Sequence, residues 1–187
     1  MRKQNLVRKL QIGVIGSAGS EEYPVEGGAT KKLINKARKI GFLLAEKDVF
    51  VVTGGKGGIM EAAAKGTKEG GGITIGVVKD GKRFVSNDFT DVEVVTGMST
   101  GGSEFIQALM CDALVVMGGG AGTLEEIAIA YRNNKPIVVL DNTEGWSEKI
   151  AGRYLDQRKQ IKIAVAKTPK EAVEKAIQSA KKNLTHN

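Results

Sequence analysis

The stretch "VVMGGGAGTLEEIAIAYRN", residues 115–133, decides the fold of this chain. An apolar run ends abruptly in three consecutive glycines, and after Gly122 and Thr123 two adjacent glutamates open a segment with helical spacing. A buried strand that turns sharply into a helix has this pattern. Glycines leave the backbone without side chains just before a helix N-terminus, where free N–H groups and the helix dipole favour an anion. We therefore expect a strand–turn–helix unit that holds a phosphate.

Length and composition indicate one globular domain that spans residues 1–187. Hydrophobic residues make up 41% of the chain and charged residues 26%, which is ordinary for a soluble protein with one core. The one cysteine, Cys111, rules out a disulfide framework, favours a reducing compartment and, before an apolar strand, is predicted to be a packed core thiol. No apolar run is long enough to span a bilayer and no signal-peptide pattern follows Met1, so we expect a cytoplasmic protein.

The net charge of +7 raises the question of a nucleic-acid partner. The lysines are dispersed along the helical stretches and at both termini, and the aromatic residues, 5% of the chain, do not alternate with them to form a stacking platform. A solvated basic surface explains this pattern, so we expect neither a nucleic-acid nor a membrane partner. A basic rim around a cleft would still attract an anionic small molecule.

Short β-branched or apolar runs alternate with segments of helical spacing along the chain. We predict strands at residues 11–16, 49–53, 73–78, 92–95, 113–117, 137–140 and 161–165, and helices at residues 30–46, 59–69, 105–110, 124–132, 146–154 and 169–182. Strands that are apolar on both faces and alternate with helices form a parallel sheet covered on both sides. The sequence therefore predicts an α/β fold with a doubly wound, mostly parallel, Rossmann-like sheet of about seven strands.

Four glycine-rich loops follow predicted strands: "GSAGS" the first, "TGGKGG" the second, "TGMSTGG" the fourth and "GGGAGT" the fifth. If the core strand order is 3-2-1-4-5, these loops are neighbours at the carboxyl edge of the sheet, where such sheets bind ligands. Thr123 is the predicted N-cap of the next helix, and Lys56 is equally well explained as a phosphate ligand or as a solvated loop lysine. The predicted phosphate-binding residues are Gly16, Ser17, Gly54, Gly55, Lys56, Gly119, Gly120, Ala121, Gly122 and Thr123.

Glu125 and Glu126 fall in the predicted first turn of the helix that follows "GGGAGT". Each can simply complement the helix dipole. Because adjacent helical positions differ by about 100°, only one of the two can face a cleft fully, where it would hydrogen-bond or act on a sugar hydroxyl. Other motifs do not fit: G-x-x-x-x-G-K-[ST] is absent, "GVIGSAGS" lacks the G-x-G-x-x-G spacing, and the lone His186 gives no basis for a metal site.

"GGGAGTLEE" resembles the P-G-G-x-G-T-x-x-E motif of the LOG family, the cytokinin-activating phosphoribohydrolases once labelled lysine decarboxylases. The resemblance extends over nearly the whole chain, through "VVTGGKGGIMEAAAKGTKEGGG" and "NNKPIVVL". "GW" at Gly145 and Trp146 and the ending "TPKEAVEKAI" are most similar to the branch related to molybdenum cofactor carrier proteins. The resemblance implies a Rossmann-like fold, a homodimer or higher homo-oligomer, and a bound nucleoside 5'-monophosphate or other phosphorylated heterocycle.

Two positions depart from the LOG pattern. The first residue of the motif, proline in the family, is Gly118 here. On the helix before the motif strand, the family carries an Arg followed by Lys or Asn, and that pair falls on Ser103 and Glu104. The matching acid, Glu126, is retained and would be catalytic only if the protein is an enzyme. The lysine decarboxylase label has no specific support, because neither a Schiff-base lysine nor a pyridoxal phosphate site is indicated.

Two functions remain open at the level of sequence. One is a binding or carrier protein for a nucleotide or for the pterin of molybdenum cofactor, with Ser103 beside the ligand. The other is a hydrolase that releases a base from a nucleoside monophosphate through Glu126, whose carboxylate would stabilise positive charge on the sugar. The loss of the family's cation at residues 103–104 favours binding.

Overall fold

The computed structural model describes residues 8–19, 28–99 and 101–185. Within them, seven strands form one all-parallel sheet: β1 (Gln11–Gly16), β2 (Phe50–Thr53), β3 (Thr74–Val78), β4 (Val92–Val95), β5 (Ala113–Met117), β6 (Ile137–Leu140) and β7 (Ala164–Ala166). The helices are α1 (Lys31–Ala45), α2 (Ile59–Glu69), α3 (Gly102–Met110), α4 (Ala121–Arg132), α5 (Gly145–Ile150) and α6 (Pro169–Leu184). The predicted α/β class and strand number are confirmed.

The helices cover both faces of the sheet. One buried core joins the strands to α1, α2 and α6 through residues such as Ile40, Ile59 and Ala176. A second joins them to α3, α4 and α5, with Ile127 and Tyr131 fully buried. A parallel sheet with helices on both sides buries its apolar strands on both faces, as the sequence pattern required.

The predicted strand order 3-2-1-4-5 was wrong. The order is β4-β3-β2-β1-β5-β6-β7, so β5 lies beside β1 and β4 is an edge strand beside β3. Exposure explains the difference: all five residues of β5 are buried, whereas Val92 and Val95 at the ends of β4 are exposed. The loops after β1, β2 and β5 still adjoin one another, but the loop after β4 reaches the site through α3.

Several element boundaries also differ from prediction. Helices α3 and α4 each begin three residues earlier than expected, at Gly102 and Ala121, because tertiary contacts override the low helix propensity of glycine. Helix α5 ends at Ile150, where Ala151 leaves the helical conformation and Gly152 has a positive φ. None of the helices in the described ranges has both the length and the apolar character needed to cross a membrane.

Candidate ligand-binding site

The turn from β5 into α4 is held by side-chain oxygens from other elements. Gly118 has a φ of 64°, and its N–H donates to the hydroxyls of Ser147 at 2.8 Å and Thr143 at 3.2 Å. The N–H of Gly119 donates to Oγ of Ser17 at 2.9 Å. These bonds fix the loop against the start of α5 and the end of β1, so the turn is built before any ligand binds.

The free backbone donors begin at the next residue. Gly120 is the N-cap of α4, and the N–H groups of residues 120–123 have no acceptor among the described residues. The prediction that Thr123 is the N-cap was wrong: it is the third residue of the helix, and its hydroxyl donates to the carbonyl of Gly16 over 3.4 Å. The helix dipole and the free N–H groups together favour an anion at this point.

A cavity of about 370 Å³ opens beside these free donors. Nine of the predicted site residues line it: Gly16, Ser17, Gly54, Lys56, Ser103, Gly120, Gly122, Thr123 and Glu126. Three predicted residues, Gly55, Gly119 and Ala121, do not. Gly55 turns away because its N–H donates to Oγ1 of Thr53 and its carbonyl accepts from the N–H of Asn87.

Sequence reasoning missed several residues that line the same cavity. Gln107 lies one turn beyond Ser103 on α3, a spacing that places the two on one helix face and could have signalled it. Lys79 follows β3, at the carboxyl edge of the sheet. Met60 and Val77 contribute apolar surface that no motif marks.

Lys56 reaches the cavity but is engaged by the loop that follows β3. Its ammonium lies 2.8 Å from Oδ2 of Asp80 and 3.4 Å from the carbonyl of Val85. The hydrogen bond from Lys56 is the main reason that the pKa of Asp80 lies below its usual value. Lys56 is therefore an ion-paired lysine at the rim of the cleft, as both sequence alternatives allow.

Ser103 and Glu104 bond to each other. The Ser103 hydroxyl donates to Oε2 of Glu104 at 2.6 Å, and the N–H of Gly101 donates to the same oxygen at 2.9 Å. Partial burial opposes ionisation of Glu104, but these hydrogen bonds outweigh it, and its pKa lies below the ordinary value. Helix α3 thus presents a hydroxyl and an ionised carboxylate to the cavity and carries no cation.

Of the two adjacent glutamates, Glu126 faces the cavity. It is 8% exposed and has no hydrogen bond or ion pair to any described residue. Burial, followed by the negative charges of Glu104 and Glu125, raises its pKa to about 8. Because α4 starts at Ala121, neither glutamate lies in the first turn, so the predicted dipole role does not apply. Near neutral pH the Glu126 carboxyl group is mostly protonated.

Cys111 takes no part in the site. It is fully buried, and its thiol donates to the carbonyl of Gln107 over 3.1 Å, so the predicted packed core thiol is confirmed. Burial raises its pKa well above the ordinary value. A thiol that stays protonated is a poor nucleophile.

A second cavity, of about 470 Å³, meets the first at Ser17 and Gly120. Trp146 lines it, with the ammonium of Lys149 lying 4.7 Å from the centre of the indole ring. Among the residues that the structure describes, its charged lining comprises Lys32, Lys36, Lys149 and Glu144. The side of the glycine loop away from Glu126 is therefore mainly basic, which favours approach of an anion to the free N–H groups.

Comparison with known proteins assigns this arrangement to a family. The family described as SLOG cluster4 matches residues 9–173, which include both cavities and every predicted site residue. The chain belongs to the SLOG cluster4 family. Gly118 marks a difference between this SLOG protein and the LOG motif, because its φ of 64° is closed to proline, whose φ is fixed near about −65°.

Three relatives of this SLOG protein bear on its function. The molybdenum cofactor binding protein of Rippkaea orientalis has a TM-score of 0.75 and 29% identity, over 95% of this chain and 98% of its own. The molybdenum cofactor carrier protein MCP of Chlamydomonas reinhardtii has a TM-score of 0.73 and 31% identity, over 96% of this chain and 100% of its own. The probable cytokinin riboside 5'-monophosphate phosphoribohydrolase LOGL9 of Oryza sativa subsp. japonica is 34% identical over 113 residues, 56% of this chain and 48% of that protein. The predicted relation to LOG proteins and to the carrier branch is confirmed.

Proposed function

We propose that this SLOG protein binds, and carries unchanged, a phosphorylated heterocycle such as a nucleoside monophosphate or a molybdopterin-type cofactor. The phosphate would accept hydrogen bonds from the free N–H groups of residues 120–123, and the heterocycle would occupy the adjoining cavity. Two structural relatives that are themselves described as binding or carrying molybdenum cofactor support this proposal.

The observation that carries the proposal is the charge state of the cavity. Hydrolysis of an N-glycosidic bond develops positive charge on the sugar, which an ionised carboxylate stabilises. Glu126, with a pKa of about 8, is largely neutral at pH 7. Helix α3 offers no cation that would favour the ionised form of Glu126 beside a sugar. The cavity is thus suited to holding a ligand and poorly suited to cleaving it.

A nucleoside monophosphate phosphoribohydrolase is the second candidate, favoured by the 34% identity to LOGL9 and by the position of Glu126 in the cavity. Such an enzyme would need a substitute cation. Lys56 is paired with Asp80, and the guanidinium of Arg83 lies 4.8 Å from the centre of the Phe84 ring. Neither of them, nor Lys79 in the cavity wall, makes a described contact with Glu126, which leaves this function with less support.

Gly120→Val tests the phosphate site. A Cβ at Gly120 would have nothing within 4 Å, and its φ of −98° is open to other residues, so the fold should be retained. The valine side chain would fill the space in front of the free N–H groups. We expect calorimetry to show that AMP, GMP and pterin-6-ylmethyl phosphate lose at least about tenfold in affinity, the loss of one charge-assisted hydrogen bond or more.

Gly81→Val is the matched control, because Gly81 lies outside both cavities and a Cβ there would meet only the Cα of Gly97 at 3.9 Å. Equal affinities for the Gly120→Val variant and the control would overturn the phosphate site. We also infer that the protein is a cytoplasmic homo-oligomer, in line with its single, buried cysteine.

A further inference from the structure

The amide of Gln107 is buried at the cavity without a partner. Gln107 is 3% exposed, and its Nε2 makes no hydrogen bond with any described residue. Folded proteins rarely leave a buried donor unpaired. Nε2 itself is closed off from the cavity, but Gln107 lines it, so rotation of the side-chain amide would let an acceptor on the ligand satisfy this group.

Glu126 presents the second unpaired polar group of the same cavity. Helices α3 and α4 pack side by side on one face of the sheet, and they carry Gln107 and Glu126 respectively into the cavity. Glu126 lies five residues beyond Ala121, about 7.5 Å along the helix axis. This separation between Glu126 and the phosphate site is roughly the size of one heterocyclic ring. Gln107 and Glu126 together form what we call the amide–acid pair.

The cavity that holds the amide–acid pair also has apolar walls. Ile15, Met60 and Val77 line it. A Cβ at Gly54 would lie 2.9 Å from Sδ of Met60 and 3.3 Å from Oε1 of Gln107, so a larger residue there would displace these two side chains. Aliphatic walls and a methionine sulfur suit the faces and edge of a flat aromatic ring and not a hydrated sugar.

We propose that the amide–acid pair binds the lactam edge of a 2-amino-4-oxopyrimidine ring, the edge that guanine and pterins share. Gln107 donates from Nε2 to the ring carbonyl, and Glu126 accepts from the ring N–H and the exocyclic amino group. Adenine has neither the ring N–H nor the exocyclic amino group at the corresponding positions, so Glu126 would lose both donors whichever way the Gln107 amide turns. This inference rests on the proposed function and narrows its ligand class.

The ionisation of Glu126 gives the proposal an independent readout. Two N–H donors from the ring favour the carboxylate, so a group that is mainly protonated in the free protein loses its proton when the ring binds. Among the described residues, the charged groups around it are Glu104 on α3, Glu125 on α4, and Lys56 and Lys79 on the loops after β2 and β3. The net result is release of close to one proton for each bound ring at pH 7.

Calorimetry with GMP, pterin-6-ylmethyl phosphate and AMP tests the proposal. We expect at least one lactam ligand to bind about tenfold or more tightly than AMP, and Gln107→Met to reduce that ratio to about threefold or less. Gln178→Met, on the exposed face of α6, is the matched control and should keep the ratio. Tight binding of GMP alone or of the pterin alone identifies the source of the ring and supports the proposal either way.

Repeating the titrations in buffers of different ionisation enthalpy measures the proton. The wild-type protein should release close to one proton with the lactam ligand, and Glu126→Gln should release none. Equal affinities of the wild type for AMP and the lactam ligands would overturn the lactam subsite while leaving the phosphate site intact. Failure of all three ligands would overturn the proposed function itself.

Discussion

The hydroxyl of Ser103 donates a 2.6 Å hydrogen bond to the carboxylate of Glu104, its neighbour on α3. In the LOG family, which this chain resembles, these two positions hold an arginine followed by a lysine or an asparagine. The structure thus has a hydroxyl bonded to a negative group where the family has an arginine and its neighbour, and this group lines the same cavity as the acid Glu126. This reversal of charge is the physical basis for preferring binding over hydrolysis.

Ser103→Ala should raise the pKa of Glu104 toward its ordinary value, because it removes the side-chain hydrogen bond that favours the ionised form. We expect the free energy of unfolding at pH 7 to fall by about 1 kcal/mol, and the loss to shrink as the pH falls and Glu104 becomes protonated. NMR titration of the Glu104 carboxyl carbon measures the pKa directly. Ser99→Ala, in the exposed loop before α3, is the control, and an unchanged Glu104 pKa in Ser103→Ala would refute this role.

Glu126 should make the unliganded protein less stable as the pH rises from about 4.5 to about 8. Over that range the unfolded chain ionises this group while the folded chain retains the proton, so the folded state binds more protons and loses stability by up to about 1.4 kcal/mol per pH unit. Glu126→Gln should remove this slope in urea unfolding measured across the range. Glu174→Gln, on the exposed face of α6, is the matched control. A slope that persists in Glu126→Gln would contradict the raised pKa.

Replacing Lys56 and replacing Asp80, which form an ion pair, should change the affinity for a phosphate ligand in opposite directions. Their side chains are 41% and 40% exposed, so the pair contributes little stability. Asp80→Asn frees the ammonium and should strengthen binding of a phosphate ligand about two- to fivefold at low salt, whereas Lys56→Met should weaken it by a similar factor. Asp48→Asn, which breaks the exposed pair with Lys9, is the control. Calorimetric affinities that move in the same direction in both variants would exclude Lys56 as a phosphate contact.

The outer side of α3 offers the apolar surface expected of a subunit interface. Phe105 is 48% exposed there, and Met98 in the preceding loop is 45% exposed. Helix α4 contributes neither Ile127 nor Tyr131 to such a surface, because both are buried within the chain. We predict a homodimer in sedimentation velocity that Phe105→Lys converts to a monomer, whereas Leu184→Lys, at the exposed end of α6, leaves it unchanged. A wild-type monomer at micromolar concentration would contradict the prediction.

The fold was predictable because its signals are local. Apolar runs such as the one in β5 and the "TPKE" sequence at the start of α6, where Thr168 accepts a hydrogen bond from the N–H of Glu171, each specify one element. The strand order was not predictable, because it depends on which strand is buried on both faces. Val92 and Val95 look like core residues in the sequence, yet they lie at the exposed ends of an edge strand.

The site was predictable where backbone geometry defines it and not where side chains complete it. Glycine runs marked the turn before α4, but the bond from Gly119 to Ser17 joins residues 102 positions apart, so no local pattern indicates which N–H groups remain free. Gln107 carries no motif at all. Its spacing from Ser103 indicates a shared helix face, but its burial without a partner follows only from the packing of α3 against its neighbours.

The central claim is that a phosphorylated heterocycle is bound and not cleaved, and ³¹P NMR tests both halves in one spectrum. AMP, GMP and pterin-6-ylmethyl phosphate are each mixed with an equal concentration of wild-type protein and followed for hours at pH 7. We predict that the resonance of at least one ligand shifts or broadens, that Gly120→Val abolishes this change, and that no ribose 5-phosphate resonance grows. A growing ribose 5-phosphate resonance, or three spectra identical to those of the free ligands, would contradict the account.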